Sequence, residues 1–282
     1  MRIGINTWVW TSPLTTASLA RLAPAIAEMG FDWIEVPFER PDDVNVERAA
    51  EIIRDLGLGV SAAAVVGPDR DLIHPDPDVR ANGEAYVRAA IDAASTLGAT
   101  VLIGPMYSGV GRTWRQTLAE REQDLDALTI TLRRLAEHAQ ERGIVLGIEP
   151  LNRFETSFIN MASQAIEVVD RVDHPACRMM LDTFHMNIEE KSAGDAVRAA
   201  GARLVHVHAC ENDRGAPGSG HVTWTEVAKA LKDIKYDRAV VIESFTSQVE
   251  GLAQAAAIWR PLAKTQDDLA RDGLRFLRRL LS

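Results

Sequence analysis

Four short hydrophobic runs in the second half of the chain each end in a residue able to hold a metal ion: Ile144 to Glu149, Arg178 to Asp182, Leu204 to His208 and Ala239 to Glu243. Each run reads as a buried parallel strand. Its polar residue falls where strand gives way to loop, the end at which parallel α/β proteins bind ligands. Period-two alternation puts Gly147 with Glu149, Met180 with Asp182, His206 with His208 and Val241 with Glu243 on one face, leaving apolar neighbours on the other. Glu149, Asp182, His208 and Glu243 are therefore aimed at one region. Three carboxylates at one buried spot do not all ionise without a compensating cation. An oxygen-rich set with a single imidazole suits Mn²⁺, Mg²⁺ or Co²⁺ better than a thiolate-seeking ion. The alternative is four unrelated strand-end residues, each satisfied by its own loop. The shared phase over four consecutive strands favours a metal site, and with it an enzyme.

An octahedral ion with four protein ligands keeps two positions for a bidentate substrate such as an α-hydroxy ketone. Glu149 and Glu243 lie three strands apart, so on an eight-stranded ring they approach from directions roughly 135° apart. Such a pair can remove a proton alpha to a carbonyl on one side and return one on the other, through an enediolate that the metal would stabilise. Ligation alone is the other reading of these two residues.

The elements that must position this set run the length of the chain. Strand-like runs begin near Ile3, Trp33, Val60, Val101, Val145, Met179, Val205 and Val240. Helix-period segments lie between them at 17–29, 46–56, 78–97, 116–142, 161–172, 193–200 and 223–234. Gly30, Gly57, Gly98, Gly143 and Gly201 follow five of these segments, as helix C-termini favour. Eight βα units without a GxGxxG or a GxxxxGK[ST] predict one (β/α)8 barrel over residues 1–282, with 248–282 a helical extension interrupted at Pro261. That tail is expected to cover the barrel or to form an oligomer contact. The longest connections, 67–77, 107–115 and 209–222, belong on the ligand-binding face.

Bulk properties narrow the class further. The chain has 282 residues, 46% hydrophobic and 25% charged, with a net charge of −9. That charge argues against binding a nucleic acid by its phosphates. No apolar stretch is long enough to span a membrane, and Met1 to Asn6 runs directly into a strand with no signal-peptide pattern. The two cysteines, Cys177 and Cys210, sit beside apolar strand residues, so a reducing cytoplasm is expected.

The most specific segments are Glu149-Pro-Leu-Asn-Arg-Phe-Glu155, Leu181-Asp-Thr-Phe-His-Met-Asn-Ile-Glu-Glu190 and His206-Val-His-Ala-Cys-Glu-Asn-Asp-Arg214. Gly218 to Trp224, Val241 to Phe245 and Ile258-Trp-Arg260 extend them. Over nearly the whole chain these motifs resemble the ketose 3-epimerase family, which includes D-tagatose and D-allulose (psicose) 3-epimerases and belongs to the xylose-isomerase-like barrels. The resemblance implies that Glu149, Asp182, His208 and Glu243 bind the metal, usually Mn²⁺, with Co²⁺ or Mg²⁺ as substitutes. It makes Glu149 and Glu243 the acid/base pair, and assigns Glu155, His185 and Arg214 to the C1 to C3 oxygens of the ketose. A homo-oligomer, dimer or tetramer, is expected. Without the resemblance, Glu155 reads as a partner of Arg153, His185 as a histidine near a helix start, and Arg214 as a solvated loop cation. His206 reads as a hydrogen-bond partner one inward step below His208.

The segments Asn6 to Trp10, Val65 to Asp69 and Met106 to Gly109 lie where the family varies. Asn6, Trp8 and Trp114 are pocket-wall candidates there, and the two tryptophans read equally well as packing. The competing functions on the same barrel are an aldose–ketose, inosose or hydroxypyruvate isomerase and, further off, an abasic-site endonuclease, which the 7 histidines disfavour. A non-catalytic sugar-binding barrel would have no need of a second base. A free sugar is expected, since no phosphate-binding glycine loop is apparent.

Overall fold

A computed structural model describes residues 1–282, the side chain of Pro41 excepted. Eight parallel strands close into a barrel in sequence order: β1 (Arg2–Asn6), β2 (Trp33–Pro37), β3 (Gly59–Ala63), β4 (Val101–Gly104), β5 (Val145–Ile148), β6 (Cys177–Asp182), β7 (Leu204–Ala209) and β8 (Ala239–Ile242). Closure is a four-residue ladder from Arg2↔Ala239 to Ile5↔Ile242. The helices are α1 (Thr16–Met29), α2 (Val46–Asp55), α3 (Pro77–Leu97), α4 (Leu118–Glu141), α5 (Ala162–Val172), α6 (Thr183–Glu189), α7 (Ala193–Ala200), α8 (Trp224–Asp233), α9 (Glu250–Ala255) and α10 (Gln266–Leu281). The (β/α)8 barrel expected from the strand-and-helix alternation is the observed fold. Among the described residues no helix is long and apolar enough to cross a membrane.

Local chemistry sets the helix ends. Thr15 and Thr117 open α1 and α4 with reciprocal capping boxes through Ser18 and Glu120. Gly30 and Gly98 close α1 and α3 in the left-handed region, at φ 96° and 85°. One element, α6, lies outside the helix-period segments, although His185 reads as a histidine near a helix start and does sit in its first turn. This helix begins directly at the end of β6, where Asp182 accepts a hydrogen bond from Phe184 N and so caps it.

The core has two layers. Outside the barrel, Ile5, Ile34, Leu102, Leu146 and Ile148 meet the apolar stripes of the helices, represented by Leu19, Ile26, Ile91, Leu132 and Leu135. Inside, Ala63, Val101, Ile103, Met180 and Val205 fill the barrel. Gly147 lies in this inner layer because nothing larger fits. A Cβ there would stand 2.9 Å from Ile103 Cγ2 and 3.3 Å from Val205 Cγ2. Strict alternation would send Val205 outward with Val207, yet it packs inside. A register shift explains this: Met179 pairs with Leu204 while Met180 pairs with His206, so Val205 is the extra residue of a bulge. The bulge resets the phase and leaves His206 and His208 both facing inward.

The C-terminal segment divides its work. Leu252 and Ile258, in and beyond α9, pack with Trp8 and Phe245 over the barrel mouth. Leu269, Leu274 and Leu277 of α10 join the outer core.

Candidate active site

The four strand-end residues converge. Glu149 follows β5, Asp182 and His208 lie at the ends of β6 and β7, and Glu243 follows β8; each is at most 5% exposed. Asp182, His208 and Glu243 each offer an atom within 4.8 Å of the other two, and so do Glu149, Asp182 and His185. His208 Nδ1 stands 3.3 Å from Glu243 Oε1 and 4.0 Å from Glu149 Oε1. It is buried and makes no hydrogen bond. An unpartnered imidazole nitrogen among three carboxylates is a donor set that fits a hard or borderline divalent ion.

Electrostatics separates the carboxylates. Burial pushes the Glu149 carboxyl well above the ordinary range, and the neighbouring charge of Glu243 adds to the effect. Burial also raises Asp182 to about 6, with Arg214 pulling the other way. Glu243 is equally buried, but the charges of His208 and Arg214 outweigh that burial and hold it below its usual value.

Behind His208 stands a residue that the sequence reading missed. Glu35, in the middle of β2, is fully buried. Its Oε1 faces His208 Nε2 at 2.7 Å and accepts from Asn6 Nδ2 at 2.9 Å. Its Oε2 lies 2.8 Å from His206 Nε2 and accepts from Ser61 Oγ at 2.8 Å. A carboxylate at Nε2 keeps a proton on that nitrogen, so a bound cation would displace the proton from Nδ1 and use its lone pair. The charges of His208 and His206 overcome the burial of Glu35 and keep it well below the usual carboxylate range. Its signal in the sequence was a lone charge in the apolar run Trp33-Ile-Glu-Val-Pro37. His206 sits one inward step below His208 as expected, with Nε2 at ion-pair distance from Glu35 but outside hydrogen-bonding geometry.

The three residues read as substrate contacts are also gathered here. Arg214 is 5% exposed, so it is not a solvated loop cation. Its Nη1 donates to Asp182 Oδ2 at 2.7 Å and Glu243 Oε2 at 2.6 Å. Its guanidinium is sandwiched by Phe184 at 3.9 Å and Phe245 at 5.0 Å, on a backbone at φ 67°. A non-glycine residue held in that region is characteristic of functional loops. His185 Nδ1 accepts the backbone N–H of Asn152 at 2.9 Å, which leaves Nε2 as its N–H side. Asn152 Nδ2 also donates to Glu155 Oε1 at 2.7 Å. Arg153 pairs with Glu189 rather than with Glu155, so Glu155 is free to face the cavity.

One cavity of about 800 Å³ opens over this cluster, and Glu149, Glu155, His185, His208, Arg214 and Glu243 line its inner end. Among the pocket-wall candidates, Trp8 lines the cavity. Asn6 does not: it is buried beneath, holding Glu35 and capping the turn that carries Trp8. Trp114 does not either. It is 52% exposed, with Arg112 stacked on it at 4.8 Å.

Residues 23–280 match the family model of the xylose isomerase-like TIM barrel. The chain is 31% identical over 280 residues to an L-ribulose 3-epimerase of Methylomonas sp., covering 99% of this chain and 97% of that one. It belongs to the ketose 3-epimerases. A D-psicose 3-epimerase of Agrobacterium fabrum is 34% identical across 91% of both chains. A solved D-allulose 3-epimerase of Methylomonas sp., in complex with D-allulose, superposes with a TM-score of 0.93 at 30% identity, covering 99% of this chain and 96% of that one. As a ketose 3-epimerase family member the protein is an enzyme, an isomerase of carbohydrates.

Proposed function

We propose that the enzyme inverts C3 of a free ketose of the D-tagatose, D-fructose and D-allulose type, with Glu149 and Glu243 as its proton-transferring pair. One observation carries the reading: two buried carboxylates from β5 and β8 flank Asp182 and His208 at the inner end of a single cavity. A divalent ion held by Glu149, Asp182, His208 and Glu243, with Mn²⁺ preferred over Co²⁺ or Mg²⁺, would polarise the C2 carbonyl and offset the negative charge that develops beside it.

The chain's own residues do the rest. One glutamate takes the C3 proton, C3 flattens into the enediolate, and the other glutamate delivers a proton to the opposite face. One proton leaves carbon and one returns, so no redox partner is required. Arg214 and His185 Nε2 donate to the C1 to C3 oxygens, and Glu155 accepts from a hydroxyl there. Glu35 holds His208 in the tautomer that keeps Nδ1 available.

The test is turnover of a ketose panel by Mn²⁺-loaded protein in D₂O. Deuterium should appear at C3 of the product and not at C1. Label at C1 with an aldose product would make the enzyme a 1,2-isomerase and end the epimerase reading.

A further inference from the structure

The cavity does not end where a monosaccharide would. Its inner end comes from β5 to β8, while its outer end is walled by the loops after β1, β2 and β3, on the other side of the barrel mouth. At about 800 Å³ it lies near the top of the roughly 300–1,000 Å³ range that encloses drug-sized ligands, far more than one hexose fills.

The outer end carries its own polar groups. Glu39 Oε1 accepts from the Trp8 indole N–H at 2.9 Å and from Ser12 Oγ at 2.6 Å. Glu39 Oε2 takes no hydrogen bond from the described residues. Arg70 is held beside it, with Nη1 donating to the Glu39 carbonyl at 3.2 Å and the guanidinium lying 4.2 Å over the Tyr86 ring. Arg70 Nε is buried and makes no hydrogen bond, although Asp69 Oδ1 lies 3.5 Å away as its ion-pair partner. Between the two ends runs an aromatic path: Arg214 lies over Phe245, Phe245 packs on Trp8 at 5.7 Å, and Trp8 reaches Glu39. A fixed acceptor, a fixed donor and an aromatic floor are the features that recognise a sugar ring. Arg70 is already paired with Asp69, so the added Glu39 carboxylate leaves the site net negative, which repels an anion and suits a neutral polyol.

Building on the ketose reading of the inner end, we propose that Glu39, Arg70 and Trp8 form a second subsite for a neutral sugar ring carried on the far end of the ketose. The substrate class then extends from the free ketose to one glycosylated at its far end, with C1 to C3 still free. Isomaltulose, which is D-fructose glucosylated at O6, and D-fructose itself are a matched pair for the test. Binding of each to Mn²⁺-loaded protein is measured by calorimetry, with D-fructose 6-phosphate as the anionic control.

Isomaltulose should bind about tenfold more tightly than fructose, the size of one charge-assisted hydrogen bond. Glu39→Gln and Arg70→Ala should each remove about that tenfold for isomaltulose and leave fructose within about twofold. Unchanged melting temperatures check that both variants fold, and Arg70→Lys replaces Arg70→Ala if they do not. Equal affinity for the pair overturns the subsite, as does an isomaltulose advantage that survives in both variants. Tighter binding of the phosphate, lost with Arg70, overturns it in favour of an anion site. Tight isomaltulose binding with no C3 exchange in any ketose supports the subsite and sinks the epimerase reading instead.

Discussion

The two walls of the barrel mouth solve different problems. The wall from β5 to β8 concentrates charge: three carboxylates, two imidazoles and a guanidinium, all buried and joined by ion-pair contacts. The wall from β1 to β3 is apolar at its base, and its polar groups, Glu39 and Arg70, sit half-buried at the rim. Dense buried charge is costly unless it is compensated, so the first wall is built for chemistry. The second is built for shape. Glu35 is the exception, a β2 residue whose carboxylate serves the opposite wall.

The comparison can be broken from its strongest side first. Chelation should abolish turnover, and Mn²⁺ or Co²⁺ should restore it. Loading should also raise Tm, by about 2.7 kcal/mol of stability at a hundredfold excess over Kd. Full activity with metal absent by elemental analysis would remove the cation from the account. Next, Glu149→Gln and Glu243→Gln should each lower epimerisation about 10²- to 10⁴-fold. With metal content measured alongside, either single variant should still exchange C3 deuterium for the epimer whose face keeps its base. Loss of exchange for both epimers in both variants, at full occupancy, would reduce the pair to ligands.

Smaller effects test whether the walls are as separate as they look. Arg214→Ala should cut kcat/KM by about 10²-fold while metal content stays near normal, because the guanidinium orients the substrate and does not ligate the ion. An unchanged kcat/KM would return Arg214 to a structural role. Glu35→Gln should weaken metal affinity about 10- to 100-fold, with Glu35→Ala worse, because the amide still occupies the space but no longer fixes the imidazole tautomer. An affinity unchanged from the parent would confine Glu35 to packing. At the bottom of the scale, Trp114→Ala should change stability by no more than about 0.5 kcal/mol and leave kcat/KM alone, as an exposed side chain outside the cavity allows. A marked rise in KM would place Trp114 over the substrate after all.

The sequence made the first wall readable and the second much less so, for a physical reason. On β5 to β8 the polar residue stands at the strand terminus after an apolar run, so period-two alternation alone points it into the mouth. Strand positions and most helix ends were readable from the same periodicities and from the glycines that close helices. Glu35 escaped because its role depends on partners 171 and 173 positions away, which no local pattern encodes. The bulge at Val205 escaped likewise, since one extra apolar residue beside Leu204 leaves no trace in composition. Trp8 and Trp114 were equivalent by type. Only the fold places one beneath the cavity and the other in solvent, and Asn6 proved to be a support under the wall.

The bond between Glu35 and His208 also carries a consequence in time. During synthesis the Glu35 carboxylate exists long before the imidazoles that neutralise it, and Glu243 is made later still. The polar floor of the barrel therefore waits for strands from the last third of the chain. Until the final strands arrive, the half already made must keep that carboxylate in water and leave its own sheet edge open. Closure of the ring and arrival of Glu243 come together with β8, so a chain that has acquired its site has already closed its barrel and has only α9 and α10 left to dock.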